Sequence, residues 1–342
     1  MNRNSKRNAI GALAIGFALA SVPQDTQAIV IVPAGYTDSF VATLPGPFSN
    51  FYGNVAVDAS GNRYVTGGSF SGVYKVTAGG AVSPFAMTPG LALGLEIVGS
   101  DLYVGSESRN LNRVTLGPLP VNTTLSQIPF GSSPMGLALL PDGNSLFISN
   151  ANGALFRYDI AGNSIFTTSV QGGIYPSIAV GQNGKLLIAD YNNSSVIEYD
   201  PALNTNSVWR SGLGSVAGLA VDRVTGEVYA ALEATGELMR ISPDGATASL
   251  FASGFPVDAP GFYPTALEFA PGGVDLYYLD QHLPSSFDLR VISGFAPVST
   301  INGVPEPSTL ALLGSGFLGL ALVRRRRRRK LAARRAEPNR PA

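Results

Sequence analysis

The sequence has no cysteine, one histidine and few charged side chains, which make up 13% of its 342 residues. Without cysteine the chain cannot form disulfides, thiolate metal sites or a cysteine nucleophile, and one imidazole excludes a histidine-rich metal cage. Glycine and proline are abundant, with 40 and 24 residues, yet the apolar fraction of 45% is enough for a buried core. A collagen-like or wholly disordered chain is therefore excluded.

Basic residues are scarce outside the two ends of the chain. Residues 29–323 contain 10 basic and 21 acidic side chains, a net charge of −11, while the other 13 basic residues lie in the first seven and the last nineteen positions. Nonspecific nucleic-acid binding depends on Lys and Arg side chains that neutralise phosphates. The acidic middle of the chain therefore predicts a soluble domain without a nucleic-acid partner.

The N-terminus has the layout of a secretory signal peptide. Residues 1–8 are polar and basic, residues 9–20 are apolar, and small residues follow as far as Ala28. This order predicts a signal helix within a removable segment, residues 1–28. The alternative is a buried N-terminal helix of the folded domain.

The C-terminus combines a short acidic-proline motif, an apolar run and an arginine block. Residues 308–323 would span about 24 Å as a helix, somewhat less than the roughly 30 Å hydrocarbon layer, and arginine stems can reach across the difference. By the positive-inside rule, both basic ends are expected to stay in the cytoplasm, and the chain between them is expected to be translocated. Residues 301–342 are therefore expected to contain a transmembrane helix.

This C-terminal order resembles the PEP-CTERM sorting signal. The residues that carry the resemblance are Pro305, Glu306, Pro307, Arg324, Arg325 and Arg326. The resemblance implies recognition by the processing enzyme exosortase, membrane anchoring through the C-terminal helix before cleavage, and sorting to the envelope or surface of a Gram-negative bacterium, often in an exopolysaccharide or biofilm matrix. Residues 331–342 extend beyond the usual tail, and a permanent tail anchor is the alternative.

The middle of the chain repeats about every forty residues, which indicates a repeat architecture. Six positions predicted to lie on second strands align at Tyr64, Tyr103, Phe147, Leu187, Tyr229 and Tyr277. The following strand of each unit carries a charged third residue, predicted to face solvent, at Lys75, Arg113, Arg157, Glu198, Arg240 and Arg290. Glycine and asparagine in the connections supply tight turns.

A fourth strand ends five of the units, including one predicted over residues 125–130, and the sixth unit lacks its own. Residues 39–44 have the character of the missing strand. The predicted fold is an all-β, six-bladed β-propeller over residues 29–300, closed by its N-terminal strand. Residues 58–65 and 186–193 resemble the NHL and SMP-30/gluconolactonase group of propellers.

Loops between second and third strands, together with the links between blades, are expected to form one face of the ring and a ligand site. The residues predicted for this site are Glu107, Asn150, Asp190, Asn192, Asp280 and His282, with Tyr52, Tyr175 and Tyr263 beside them. Amides, carboxylates and aromatic rings suit sugar hydroxyls and apolar sugar faces. The alternative is that the polar residues cap turns and the rings pack between blades.

No residue is assigned a catalytic or metal-binding role. The SMP-30 group holds a divalent metal with Glu, Asn and Asp at the starts of innermost strands, whereas the nearest positions here are Gly53, Met135 and Ala217. We therefore expect no cofactor, unless Asp190, Asp280 and Asn150 hold a cation such as calcium. The predicted function is non-enzymatic binding or scaffolding of extracellular polysaccharide or a surface protein. The alternative is a hydrolase or lyase of the SMP-30 or streptogramin-lyase type.

Overall fold

The computed structural model describes residues 30–45, 53–67, 70–129, 133–170, 173–255, 266–283 and 286–297. These residues form 24 strands arranged in six four-stranded sheets. The described ranges contain no helix that could cross a membrane. The predicted signal peptide at residues 1–28 and the predicted C-terminal helix within residues 301–342 lie outside the described residues.

The first strand, β1 (Thr37–Pro45), precedes five blades that each use four consecutive strands. Blade 1 contains β2 (Asn54–Val57), β3 (Arg63–Thr66), β4 (Gly72–Val76) and β5 (Val82–Met87). Blade 2 contains β6 (Ala92–Val98), β7 (Asp101–Ser106), β8 (Asn110–Thr115) and β9 (Asn122–Gln127). Blade 3 contains β10 (Pro134–Leu139), β11 (Ser145–Asn150), β12 (Ala154–Asp159) and β13 (Ser164–Ser169).

The second half of the ring repeats this order until its last blade. Blade 4 contains β14 (Ile178–Val180), β15 (Leu186–Asp190), β16 (Ser195–Asp200) and β17 (Thr205–Ser211). Blade 5 contains β18 (Val216–Val221), β19 (Val228–Leu232), β20 (Glu237–Ile241) and β21 (Ala248–Ser253). Blade 6 contains β22 (Leu267–Phe269), β23 (Asp275–Leu283) and β24 (Ser286–Ser293), with β1 as its outermost strand.

The pairing of β1 with β24 joins the two ends of the propeller. The strands are antiparallel, with Thr37 opposite Ser293 and Pro45 opposite Ser286. The innermost strands β2 and β22 are also in contact, so blade 6 lies beside blade 1. The predicted all-β, six-bladed fold is confirmed, and the expected strand at residues 39–44 forms part of β1.

The core consists of six apolar clusters, one between each pair of adjacent blades. All six aligned second-strand residues are buried, with at most 4% of each exposed. Their side chains are Tyr64, Tyr103, Phe147, Leu187, Tyr229 and Tyr277. Because each cluster takes residues from two blades, no sheet buries its faces without its neighbours.

Every outermost strand pair contains a β-bulge whose extra residue is apolar. The extra residues are Val41, Phe85, Leu125, Ile165, Trp209 and Phe251. All except Ile165 pack against an inter-blade cluster. Bulges add twist and interrupt an exposed edge, which disfavours pairing with other chains. The fourth strand predicted at residues 125–130 is present as β9, but it covers Asn122–Gln127, with Leu125 as its bulged residue.

The charged position on the third strand is partly or largely solvent-accessible in blades 1 to 5 but buried in blade 6. Lys75, for example, lies opposite Tyr64 and is half-buried. Arg290 instead lies opposite Tyr278, one residue beyond the aligned Tyr277, and is only 8% exposed. The prediction that Arg290 faces solvent was therefore wrong, because the register of blade 6 differs by one residue.

Candidate functional site

Strand direction divides the ring into two faces. The top face carries the hairpins between second and third strands and the links between blades. The bottom face carries the other hairpins, together with the paired ends Thr37 and Ser293. Those predicted site residues that the structure describes belong to the top face because they follow the second strands or lie in the blade links.

The second strands end at the top face in buried polar side chains. These are Thr66, Ser106, Asn150, Asp190 and Asp280 at strand ends or bends, and Glu233 one residue past β19. Thr66 Oγ1 donates to the carbonyl of Leu93 in the next blade at 2.6 Å, so this ring of groups also ties blades together. Thr66 and Ser106 were not in the predicted set, although their positions relative to the aligned aromatic residues would have identified them.

Asn150 holds the top hairpin of blade 3. Its Oδ1 accepts hydrogen bonds from the backbone N–H groups of Asn152 and Ala154 at 2.8 and 2.9 Å. Its carbonyl oxygen accepts from the N–H of Tyr175 in the following link at 3.1 Å. Its Nδ2 is buried and has no hydrogen-bond partner within the part of the chain that the structure describes. Asn150 therefore acts chiefly as a turn-forming residue.

Asp190 and Tyr175 meet beside Asn150, between blades 3 and 4. Asp190 accepts hydrogen bonds from the N–H and Nδ2 of Asn193, at 3.2 and 2.8 Å. Burial, and secondarily the charge of Asp190, raises the pKa of Tyr175, whose ring is fully buried. A Cβ on Gly173 would lie 2.5 Å from Asp190 Oδ1, so a larger residue there would displace the Asp190 carboxylate. Asn150, Tyr175 and Asp190 thus form one cluster below the surface.

The remaining predicted residues are distributed around the ring. Glu107 and Asn192 are exposed at hairpin tips in blades 2 and 4. Asp280 is 3% exposed and lies 4.0 Å from Arg290 Nε, within blade 6. His282 is on β23, but its side chain lies outside the description, as do Tyr52 and Tyr263. The sorting residues Pro305, Glu306, Pro307, Arg324, Arg325 and Arg326 also lie outside the described residues.

The positions that would hold an SMP-30-type metal carry no side-chain oxygen. Gly53 precedes β2, while Met135 and Ala217 are buried on β10 and β18. Among the described residues, no three His, Asp or Glu side chains lie close enough together to hold a metal ion. The residues present at these positions do not fit that metal.

The innermost strands contain a pair of acidic residues that the sequence analysis did not identify. The residues opposite the six aligned second-strand positions are Ala56, Glu96, Ala138, Ala179, Ala220 and Glu268. Burial, and then the charge of Glu268, raises the pKa of Glu96 to about 8, with Arg223 opposing. Burial raises the pKa of Glu268 to about 7, again against Arg223. In the sequence, these two residues could have been identified because glutamate replaces an alanine that the other four blades share at this position.

Comparison with known proteins gives one sequence match and many matches of fold. Residues 303–328 match the PEP-CTERM protein-sorting motif. No curated protein matches the chain. A protein described as a gluconolactonase superimposes with a TM-score of 0.60 and 18% identity, covering 78% of this chain and 96% of its own.

Two further solved structures have the same fold. Streptogramin B lyase gives a TM-score of 0.56 at 13% identity, covering 75% of this chain and 97% of the lyase. The calcium-binding protein regucalcin from Agrobacterium tumefaciens gives 0.56 at 16% identity, covering 76% and 98%. At these identities the likeness establishes the fold alone. The chain thus joins a PEP-CTERM sorting motif, which implies export, sorting to the envelope or surface and processing by exosortase, to a six-bladed propeller resembling the SMP-30/gluconolactonase and streptogramin-lyase folds.

Proposed function

We propose that the exported propeller is a non-enzymatic binding module whose top face binds extracellular polysaccharide. The observation that carries this proposal is the construction of the top hairpins. Exposed polar tips, at Glu107 and Asn192, stand directly beside the buried strand ends Ser106 and Asp190. Recognition residues on short loops above a rigid scaffold are a common basis of binding.

The chemistry of the tips favours hydroxyl-rich ligands. The Glu107 carboxylate accepts hydrogen bonds, and the Asn192 amide both donates and accepts them. The buried Asp190, between blades 3 and 4, is engaged in local hydrogen bonds, since both of its carboxylate oxygens accept from Asn193. This engagement favours a structural role for Asp190 over that of a catalytic acid or base.

The position of the C-terminal sorting segment is consistent with a top face that points away from the membrane. The C-terminal end of β24, Ser293, is on the bottom face, and the sorting motif begins ten residues later at 303. Ten residues reach at most about 36 Å when extended. Before processing, the bottom face would lie toward the membrane, and the top face would point toward the matrix.

We expect the Glu107→Ala/Asn192→Ala variant of the exported full chain to lose at least tenfold in affinity for matrix polysaccharide. Both side chains are exposed, so the free energy of unfolding should change by less than about 0.5 kcal/mol for each. Isothermal titration with the purified polysaccharide, in the presence of a chelator, measures the affinity.

The matched control is Thr123→Ala/Ser249→Ala, which alters exposed residues on two outer strands. This control should bind like the natural chain. Equal affinity of the two double variants would contradict the proposal. Turnover of a lactone or ester by the natural chain, with loss of turnover in His282→Ala, would favour the hydrolase or lyase alternative instead.

A further inference from the structure

A cleft of about 210 Å³ opens on the bottom face between blades 4 and 5. Its lining is partly apolar, with Trp209, Leu187 and Pro243, and partly polar, with Gln182, Asn183 and Glu198. None of these residues belongs to the top face. The cleft therefore provides a separate site that offers both apolar and polar groups.

The polar side chains of the lining are fixed by hydrogen bonds. Glu198 Oε1 accepts from Lys185 Nζ at 2.6 Å, and its Oε2 accepts from Asn183 Nδ2 at 3.2 Å. Gln182 Nε2 donates to the carbonyl of Arg223 in blade 5 at 3.4 Å. Each carboxylate oxygen retains a lone pair, so Glu198 can still accept from a ligand hydroxyl without reorienting.

The indole ring of Trp209 is held in place by the turn that precedes β21. A Cβ on Gly245, where φ is +73°, would lie 2.9 Å from Cε2 of Trp209, so glycine is needed for this contact. Arg210 Nη1 donates to the carbonyl of Ala246 at 2.9 Å and fixes the same turn. The ring is thus positioned by its neighbours before any ligand arrives.

We propose that this cleft binds one ring of a neutral hexopyranose oligosaccharide. The apolar face of the sugar would pack against Trp209, and its hydroxyls would donate to Glu198 and accept from the amides of Gln182 and Asn183. The volume is below the 300–1,000 Å³ of pockets for drug-sized ligands, which suits a single ring. The ligand class rests on the proposed function, but the site is a different one.

Trp209 is the sole tryptophan of the chain, so its fluorescence reports directly on the cleft. Glucan, mannan and galactan hexaoses are titrated separately into the exported full chain. We expect a saturable change in tryptophan emission with at least one of them, at the same midpoint as the heat of binding measured by calorimetry. The Glu107→Ala/Asn192→Ala variant should give the same emission change.

Variants of the polar and apolar lining residues test whether the hexaose binds in this cleft. Asn183→Ala and Glu198→Ala should each weaken binding of that hexaose at least tenfold. Because Asn183 is exposed, Asn183→Ala should leave folding undisturbed. Trp209→Phe should keep calorimetric affinity within about threefold, whereas Trp209→Ala should lose it. Lys75→Ala, at the equivalent strand position on the opposite side of the ring, is the matched control and should bind normally.

The outcomes separate this proposal from the proposed function. Binding of a hexaose by calorimetry with unchanged Trp209 emission would overturn the cleft site and leave top-face binding intact. An emission change that persists in Asn183→Ala and Glu198→Ala would also overturn it. If the heat of binding and the emission change are lost only in the cleft variants, the result would support hexaose binding in the cleft and count against hexaose binding at the top face. Absence of any hexaose binding in both measurements would overturn the cleft site, while the polysaccharide titration would still test the top face.

Discussion

Replacing Asp38 with alanine is expected to lower the free energy of unfolding by about 3–5 kcal/mol, because it removes the nearer carboxylate of a buried guanidinium. Asp38 on β1 forms a buried ion pair with Arg290 on β24, and the two side chains are only 8% and 9% exposed. The Tyr278 hydroxyl donates to Asp38 Oδ1 at 2.7 Å and accepts from Arg290 Nε at 3.0 Å. Urea unfolding followed by circular dichroism measures the loss.

Glu227→Ala provides the matched control for this prediction. Glu227 Oε1 lies 3.7 Å from Nε of Arg240, the residue equivalent to Arg290 in blade 5, but these side chains are 29% and 43% exposed. Exposed pairs contribute about 0–1 kcal/mol, so the control should be nearly as stable as the natural chain. Similar losses in the two variants would mean that the Asp38 pair does not secure the closing strand.

A second large effect is expected in the dependence of stability on pH. The pKa values of Glu96 and Glu268 are raised from 4.5 to about 8 and about 7, mainly by burial. Between the unfolded and folded pKa values, the folded state binds more protons than the unfolded state. Stability should therefore be greatest near pH 5 and fall as pH rises to about 8, by up to about 1.4 kcal/mol per pH unit for each group.

The Glu96→Gln/Glu268→Gln variant tests the source of this dependence. Its free energy of unfolding, measured by urea titration from pH 5 to 8, should vary much less than that of the natural chain. Glu107→Gln, which alters an exposed carboxylate on the top face, should keep the original slope. An unchanged slope in the double glutamine variant would show that these two residues do not cause it.

The fold was predictable because the sequence pattern of one structural unit, the blade, occurs six times along the chain. The aligned residues from Tyr64 to Tyr277 are all buried on second strands, as a shared inter-blade environment requires. Errors arose where a blade departs from the pattern. The fourth strand of blade 2 begins at Asn122, three residues before the predicted start at Leu125, and the shifted register of blade 6 moved Arg290 inward.

The candidate sites were less predictable, because they depend on contacts between distant parts of the chain. The pairing of Asp38 with Arg290 spans 252 residues, and nothing local to either residue reveals it. The cleft combines turns of two blades with a bulged Trp209, whose direction depends on strand register. Glu107 and Asn192 could be placed on the top face by topology, but exposure distinguishes them from the buried Asn150 and Asp190.

Disulfide trapping tests the closure of the ring by β1 most directly, because the chain has no cysteine of its own. In the Thr37→Cys/Ser293→Cys variant the two residues are direct partners across β1 and β24, within bridging distance. We expect efficient intramolecular bridging, seen as faster migration on a non-reducing gel. Thr37→Cys/Thr205→Cys, which joins outer strands of blades 6 and 4, should stay reduced. Failure of the first pair to bridge, or equal bridging of both, would contradict closure by the N-terminal strand.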